Sequence, residues 1–467
     1  MSDSLHARIT DSLSLDSLVA TVGAASGAAI LESGQNFGPA ARWTVLAPPP
    51  VLVFEATGGS WTIAGPTGSI LERGSGDPLA TLGRLLADLG LGGVDSDDDS
   101  DRPPFTGGLI GFFGYDLAPR IERLPRRSPR ASRIPDIRFG LHDLCATVDN
   151  SSGVVEVWGR RFPSCPVRDL DERWQQFRRE LSQAKGIGPR RSVLSPPQSA
   201  FGRSEYISAV QTARDYISAG DIFQVNLSQT FSSEGTVEPI DLYLRLRKRS
   251  PAPHAAFLRW GDLAVVSASP ECFFATRGDR IVTRPIKGTR PRGHSAEDDA
   301  KLVTQLTASP KDRAELTMIV DLERNDLGRI CRFGTVAVTE PGIVESFAQV
   351  HHRVATIEGR LRPGTSPMDV IRGMFPGGSI TGAPKIRAME IIDELEPNRR
   401  SLYTGAIGYY GVGASAFNIA IRTILVEGNQ ASYQVGGGIV ADSDPESEYE
   451  ETLHKGRAMF DVLSGET

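Results

Sequence analysis

The sequence predicts an α+β fold, large antiparallel β-sheets flanked by helices. Strand-like runs follow one another closely enough that hairpins outnumber helical crossovers. Turns rich in Gly and Pro separate those runs, and a few amphipathic stretches with recognisable start signals supply covering helices. At 467 residues, with 40% hydrophobic and 23% charged, the chain has material for a sizeable core.

In the N-terminal part, strands are expected at 43–46, 51–54, 60–64 and 154–158, and helices at 78–89 and 169–184. The acidic run 95–101 reads as a solvated loop. Residues 185–199, with three Pro and no periodicity, read as a linker. It divides an N-terminal region, 1–190, from a C-terminal region, 200–467. The second region opens with a helix at 204–219 and continues through strands at 222–231, 254–260, 263–267, 272–276 and 280–286. Helices follow at 310–321, 367–374, 383–394 and 445–463, with strands at 404–410, 417–427 and 430–435 before the last.

Composition excludes several function classes. Net charge is −6 with the arginines scattered among acids, which argues against nucleic acid or an anionic membrane as main partner. The four cysteines form no CxxC or Cys/His cluster and read as reduced thiols. No signal peptide is visible and no run of 18 apolar residues exists, so a cytoplasmic protein is expected.

Four segments carry chemistry. Lys287 lies between a β-branched residue and a Gly-Thr turn, at the end of an expected strand; a buried lysine there becomes a nucleophile. With a three-residue loop at 277–279, Glu271 opposes Pro285 and shares a face with Lys287; a two-residue loop puts them on opposite faces. An ordinary cross-strand ion pair fits the spacing equally well. On the helix after Asp444-Pro445, Glu448, Glu451 and Lys455 fall within roughly 60° of arc. That is a solvated acidic face, or an oxygen site for a divalent ion such as magnesium. Asp312 and Glu315 form a second such pair. The glycine-rich segments 375–385 and 436–439 suit either tight turns or close approach to a carboxylate, and neither matches a Walker A or Rossmann loop. No glutaminase elbow is present, so the chain supplies no obvious means of freeing ammonia from an amide.

Read in order, PIKGTRPRG (285–293), KDRAELTMIVDLERNDLGR (311–329), FPGGSITGAPKIRAMEIID (375–393), IAIRT (419–423) and GGGIVADSDPESEYEETLHK (436–455) resemble the signature blocks of the chorismate-utilising enzymes. GGLIGFFGYDLAPRIERLP (107–125) and ILES (30–33) extend the resemblance to the N-terminal region. In that family, anthranilate synthase large subunits usually carry Ala where this chain has Lys287, and aminodeoxychorismate synthase large subunits carry Lys. The resemblance thus implies amination of chorismate at C4 to 4-amino-4-deoxychorismate, towards p-aminobenzoate and folate, with ammonia from a glutaminase subunit. It implies Lys287 as nucleophile at C2, Glu271 as general acid for the 4-hydroxyl, and His352 beside the ring. It implies Mg²⁺ held by Glu315, Glu448 and Glu451. Gly288, Thr289, Ser379, Tyr409, Arg422, Gly436, Gly437, Gly438 and Lys455 match positions that hold the substrate. Ser33, Arg42, Trp43, Thr44, Val45, Pro253, His254 and Ala255 match a pocket that holds tryptophan in some relatives.

A solvated lysine, with pKa about 10.4, is neutral less than about 0.1% of the time at pH 7, so the chemistry requires burial. An anionic Glu271 opposes deprotonation, and a protonated Glu271 is therefore expected during attack. Two other outcomes stay open: anthranilate synthesis, against which Lys287 speaks, and a non-catalytic subunit sensing tryptophan or chorismate, against which the retained acids speak.

Overall fold

The computed structural model describes residues 4–9, 13–33, 42–92, 102–125, 128–130, 132–162, 164–165, 169–184, 190–347 and 350–465. The acidic run 95–101 lies outside them, as do residues 185–189 of the linker.

Two antiparallel sheets, of 13 and 12 strands among the described residues, form the body. Along its main path the first runs Ser4–Ile9, Val155–Arg160, Leu144–Asp149, Trp43–Ala47, Ala29–Glu32, His254–Trp260, Leu263–Ser269, Thr423–Glu427, Gln430–Ile439, Gln224–Thr236 and Val193–Leu194. The second runs Ile286–Pro291, Val350–Arg360, Arg280–Arg284, Cys272–Arg277, Ala414–Ile419, Ala406–Gly411, Gly108–Phe113, Ile137–His142, Leu52–Thr57, Ser60–Ala64 and Ile70–Ser75. Both sheets draw strands from either side of residue 190, so the sequence division marks a connection that the sheets run across.

The sheets stack face to face. Val45, Ala256 and Val265 of the first meet Ile110, Phe112 and Ile407 of the second in one apolar layer. Helices cover the outer faces. Leu18, Trp174, Leu242 and Met459 seal the first sheet, and Leu82, Leu327 and Ile371 the second. Strand Gly108–Phe113 shows why sequence reading missed several strands. Leu109 and Phe113 face the helices while Ile110 and Phe112 face the other sheet, so GLIGFF has no polar alternation. Burial on both faces erases the period-two signal.

Helix ends follow local chemistry. Asp444 accepts the Ser447 N–H, Pro445 takes the first helical position, and Gly465 closes the helix at φ +80°, giving Pro445–Ser464. Ser309 caps Pro310–Ile330 in the same way. That helix continues nine residues past the expected end, because Leu327 and Ile330 extend its buried stripe. Among the described residues no helix is long and apolar enough to cross a membrane. Among the described residues no disulfide joins the four cysteines.

Candidate active site

The site forms where the chain changes sheets. Glu271 sits between Leu263–Ser269 of the first sheet and Cys272–Arg277 of the second. Arg422 sits between Ala414–Ile419 of the second and Thr423–Glu427 of the first, so the strand expected over 417–427 is two strands in different sheets. The two crossings lie side by side. The Ile419 N–H donates to the Glu271 carbonyl at 3.0 Å, and the Ala268 N–H to the Arg422 carbonyl at 3.0 Å. At its crossing Arg422 takes φ +50°, which a non-glycine residue rarely adopts.

The hairpin register departs from expectation and then recovers. Arg277 pairs with Arg280, so the loop has two residues rather than three. That register would set Glu271 and Lys287 on opposite faces. A bulge between Cys272 and Ala275 shifts the pairing by one, and Cys272 faces Arg284. Pro285 then breaks the expected 280–286 strand, and Ile286–Pro291 resumes it, with Lys287 near its start. The net result couples the two side chains. Burial lowers the Lys287 pKa, and the Glu271 charge works against that. Burial raises the Glu271 pKa, opposed in part by Lys287. Both groups are thus moved towards their neutral forms. Glu271 is 5% exposed, and its Oε1 has no hydrogen-bond partner.

The segment Gly377–Ser379 caps this pair. Lys287 Nζ donates to the Ser379 carbonyl at 3.2 Å, and the buried Ser379 hydroxyl works on the Glu271 carboxyl, favouring its charged form. Behind it stands Glu323, a residue sequence reading did not single out. Its Oε1 accepts the Gly378 N–H at 3.2 Å while Oε2 is unpartnered. Burial and the Asp326 charge push the Glu323 carboxyl up to about 8. Asp326 in turn holds Lys385 Nζ at 2.6 Å. The motif's internal acids offered no periodic cue, since they serve a turn fifty residues away.

The two acidic helices do face one another. Lys311, on Pro310–Ile330, acts electrostatically on both Glu448 and Glu451 across the gap, and approaches Glu315 at 3.9 Å. Glu448 Oε1 accepts from Ser443 Oγ at 2.6 Å, and Glu451 from Lys455 Nζ at 2.6 Å. Lys455 also donates to the Gly436 carbonyl at 3.2 Å. Gly437 lies under both carboxylates. A Cβ there would stand 3.0 Å from Glu448 Oε2 and 3.6 Å from Glu451 Oε1. Gly438 packs against the Gln224 amide, which a Cβ would meet at 2.7 Å. Burial raises the Glu448 pKa; burial also works to raise that of Glu451, but Lys455 and Lys311 take it below the usual value. Among the described residues no three His, Cys, Asp or Glu side chains form a metal-holding group by themselves. A cation in this cradle would need substrate oxygens and water to complete its shell, which is how magnesium usually binds.

His352 is buried across from Thr289, and their side chains meet at 2.8 Å through Nδ1. Burial, with Arg422 adding to it, pushes the His352 pKa down to about 3, so the ring is neutral at physiological pH. Gly288, at φ +90°, lets the strand press against Asp312 and Leu306, which a Cβ would meet at 3.0 and 2.9 Å. Tyr409 differs from expectation: it packs edge-on against Phe105, ring centroids 5.4 Å apart, inside the layer between the sheets. Its strand places odd-numbered residues there.

The residues of the expected tryptophan pocket lie on three neighbouring strands. Ala255 pairs with Glu32, and Glu32 with Thr44. The Ser33 N–H donates to the Trp43 carbonyl at 3.2 Å. Arg42 is engaged by Asp149 at 3.0 Å and lies over the Trp43 ring. Burial holds the His254 pKa down to about 4.

Comparison with known proteins gives the family and the fold. A family model described as chorismate binding enzyme matches residues 50–461. Anthranilate synthase component 1 of Thermus thermophilus is 43% identical over 370 residues, 78% of this chain and 79% of that protein. Aminodeoxychorismate synthase component 1 of Bacillus subtilis is 38% identical over 434 residues, 88% of this chain and 91% of that one. The crystal structure of anthranilate synthase component I from Streptococcus pneumoniae superposes with a TM-score of 0.78 at 34% identity, covering 90% of this chain and 92% of the other.

Proposed function

The chain belongs to the chorismate-binding enzyme family, and from that premise we propose that it is the large component of an aminodeoxychorismate synthase. The observation that carries this reading is Lys287: a half-buried amine, its pKa lowered by burial, set beside a buried acid whose pKa is raised. Neutral Lys287 attacks C2 of chorismate, both ring double bonds shift (C1=C2 to C1=C6 and C5=C6 to C4=C5), and the 4-hydroxyl leaves as water with the proton of Glu271. Ammonia from a glutaminase partner then adds at C4, both double bonds return to their first positions, and the C2–N bond breaks to free Lys287. The new C4 ammonium gives a proton to Glu271, restoring the acid. The enolpyruvyl group stays on the ring, and the product leads towards p-aminobenzoate and folate.

Substrate binding divides between two clusters. Lys455 and the Gly436–Gly438 backbone suit the ring carboxylate. The Arg422 guanidinium, which meets no acid among the described residues and whose pKa burial lowers, suits the enolpyruvyl carboxylate. A magnesium ion shared by Glu315, Glu448 and Glu451 would neutralise the ring carboxylate and let the acids tolerate one another. Ser379 and Thr289 orient the ring, with neutral His352 beside it.

A second reading, anthranilate synthase, draws on the 43% identical Thermus thermophilus relative. One assay separates the two. The purified chain is incubated with chorismate, magnesium and an ammonium salt. Product fluorescence that depends on the lyase completing p-aminobenzoate supports the proposal, whereas direct anthranilate fluorescence selects the second reading. A chorismate-derived mass adduct on Lys287, trapped without ammonia, would support the covalent route.

A further inference from the structure

Glu323 is a buried acid beside the site to which the reaction above gives no task; it is 2% exposed. It stands on Pro310–Ile330, where Leu322 and Glu323 meet the turn at Gly378. A Cβ on Gly378 would stand 3.1 Å from the Leu322 Cβ and 3.5 Å from Glu323 Oε1, so the glycine lets the turn lie directly on the helix. There the Gly378 N–H donates to Glu323 Oε1 at 3.2 Å.

The chain on either side of this bond is anchored separately. Before it, Lys385 Nζ donates to the Met374 carbonyl at 3.3 Å, and Asp326, about one turn along the helix from Glu323, holds the same amine. After it, the Ile380 carbonyl accepts from Asn226 Nδ2 at 3.0 Å and from Arg400 Nη1 at 3.1 Å. Between these anchors lies Ser379, whose carbonyl takes Lys287 Nζ and whose hydroxyl works on the Glu271 carboxyl. The Glu323 bond thus holds the residue next to the one that touches both reacting groups. A neutral amine has two N–H bonds and one lone pair. Donation to a carbonyl held in place turns that lone pair in a set direction.

We propose that Glu323 is a positioning residue for the amination: through the Gly378 N–H it holds the Ser379 turn, and the turn aims Lys287 and Glu271 at the substrate. The inference rests on the chorismate reading above. Burial and the Asp326 charge push the Glu323 carboxyl up to about 8, so at neutral pH it is the uncharged acid and offers Gly378 a carbonyl oxygen. Glutamine offers the same oxygen and is the matched replacement. Leucine removes the acceptor, and asparagine keeps the amide but falls short by one carbon–carbon bond, about 1.5 Å.

The test compares E323L, E323N and E323Q with the wild type at neutral pH, using the purified chain with chorismate, magnesium and saturating ammonium. E323L is expected to lower kcat about 10- to 100-fold with KM for chorismate within about threefold, which marks misplaced reacting groups and not lost binding. E323Q should return kcat to within about threefold of the wild type at the same KM. If E323L does not fold, E323N takes its place and should lose kcat in the same range. A kcat loss below about threefold in the folded variant without the bond, an effect confined to KM, or an E323Q as slow as that variant overturns the proposal. Should the wild type turn over no chorismate, the functional reading fails instead. Positioning is then read from Lys287 itself, by competitive acetylation against pH followed by mass spectrometry. Burial is the largest cause lowering the Lys287 pKa, so opening the turn to water should raise it. The labelling midpoint of E323L or E323N is expected to rise by about one pH unit or more, and that of E323Q to stay in place. An unmoved or lowered midpoint in the variant without the bond overturns the positioning role.

Discussion

Two acid–base pairs, one sealed and one with a half-buried lysine, lie close together in this molecule, and they are held in opposite ways. Glu396 and Arg400 are 4% and 2% exposed. Arg400 donates to Glu396 through Nη2 at 2.7 Å and Nε at 3.0 Å, and spends its remaining donors on the Ile380 and Asn226 carbonyls and Thr404 Oγ1. Glu396 also accepts from the Ser228 N–H at 2.9 Å, and the Tyr115 and Tyr403 rings flank the guanidinium. Glu271 and Lys287 have sparser company: the Ser379 hydroxyl and the Ile286 backbone act on the carboxyl, and the amine has one carbonyl contact. Burial alone would lower the Arg400 pKa, yet Glu396 drives it above the usual value. At Lys287 burial wins over Glu271. A dense set of hydrogen bonds thus gives a fixed ion pair at Glu396 and Arg400, whereas sparse partners leave half-buried Lys287 and buried Glu271 shifted towards their neutral forms.

Removing either member of each pair tests that contrast. Lys287→Ala should lower turnover at least about 10³-fold and abolish the mass adduct, as for other catalytic nucleophiles. Residual activity of several per cent would make the lysine dispensable. Glu271→Gln should reduce kcat by about 10² to 10⁴-fold, the usual range for a general acid, with KM within a few-fold. Activity within threefold of wild type would move the acid role elsewhere. Its thermal midpoint should hold or rise, since an ill-satisfied acid is removed. Glu396→Ala, by contrast, should destabilise the protein by about 3–5 kcal/mol in urea unfolding, because Arg400 is left buried and unpaired. A loss below about 1 kcal/mol would deny the difference between the pairs.

The smallest effect is expected at Glu323. Its folded-state pKa, about 8, stands above the ordinary carboxyl value of 4.5, so the folded protein holds this proton more tightly than the unfolded chain. Stability is therefore lost as pH rises from about 4.5 to about 8. Glu323→Gln keeps an acceptor for Gly378 and removes that loss. Its thermal midpoint should match wild type near pH 4.5 and exceed it by a few degrees near pH 9. Equal midpoints at both pH values would place the ionised carboxylate in the fold.

Much of this was legible where the signal is local. The cap and Pro of Pro445–Ser464 placed Glu448, Glu451 and Lys455 on one face before any coordinates, and the ordered motifs pointed to the family. The hairpin at 277–280 was not legible: two glutamate–lysine registers were open, and a bulge far from the loop decided between them. Tyr409 carried no cue to which face of its strand would be sealed between the sheets. Arg422 read as part of one continuous strand, because nothing in IAIRT announces a change of sheet.

The amino-acid order alone determined the chemistry at hand: a lysine beside Gly-Thr, carboxylates one helical turn apart, and glycines where backbone must approach an anion, since each depends on neighbours a few residues off. Tertiary structure decided which of these meet. The two crossings between sheets bring Glu271, Lys287 and Arg422 together from strands up to 151 residues apart, and the protonation of each follows from how much water and how many partners that meeting leaves it.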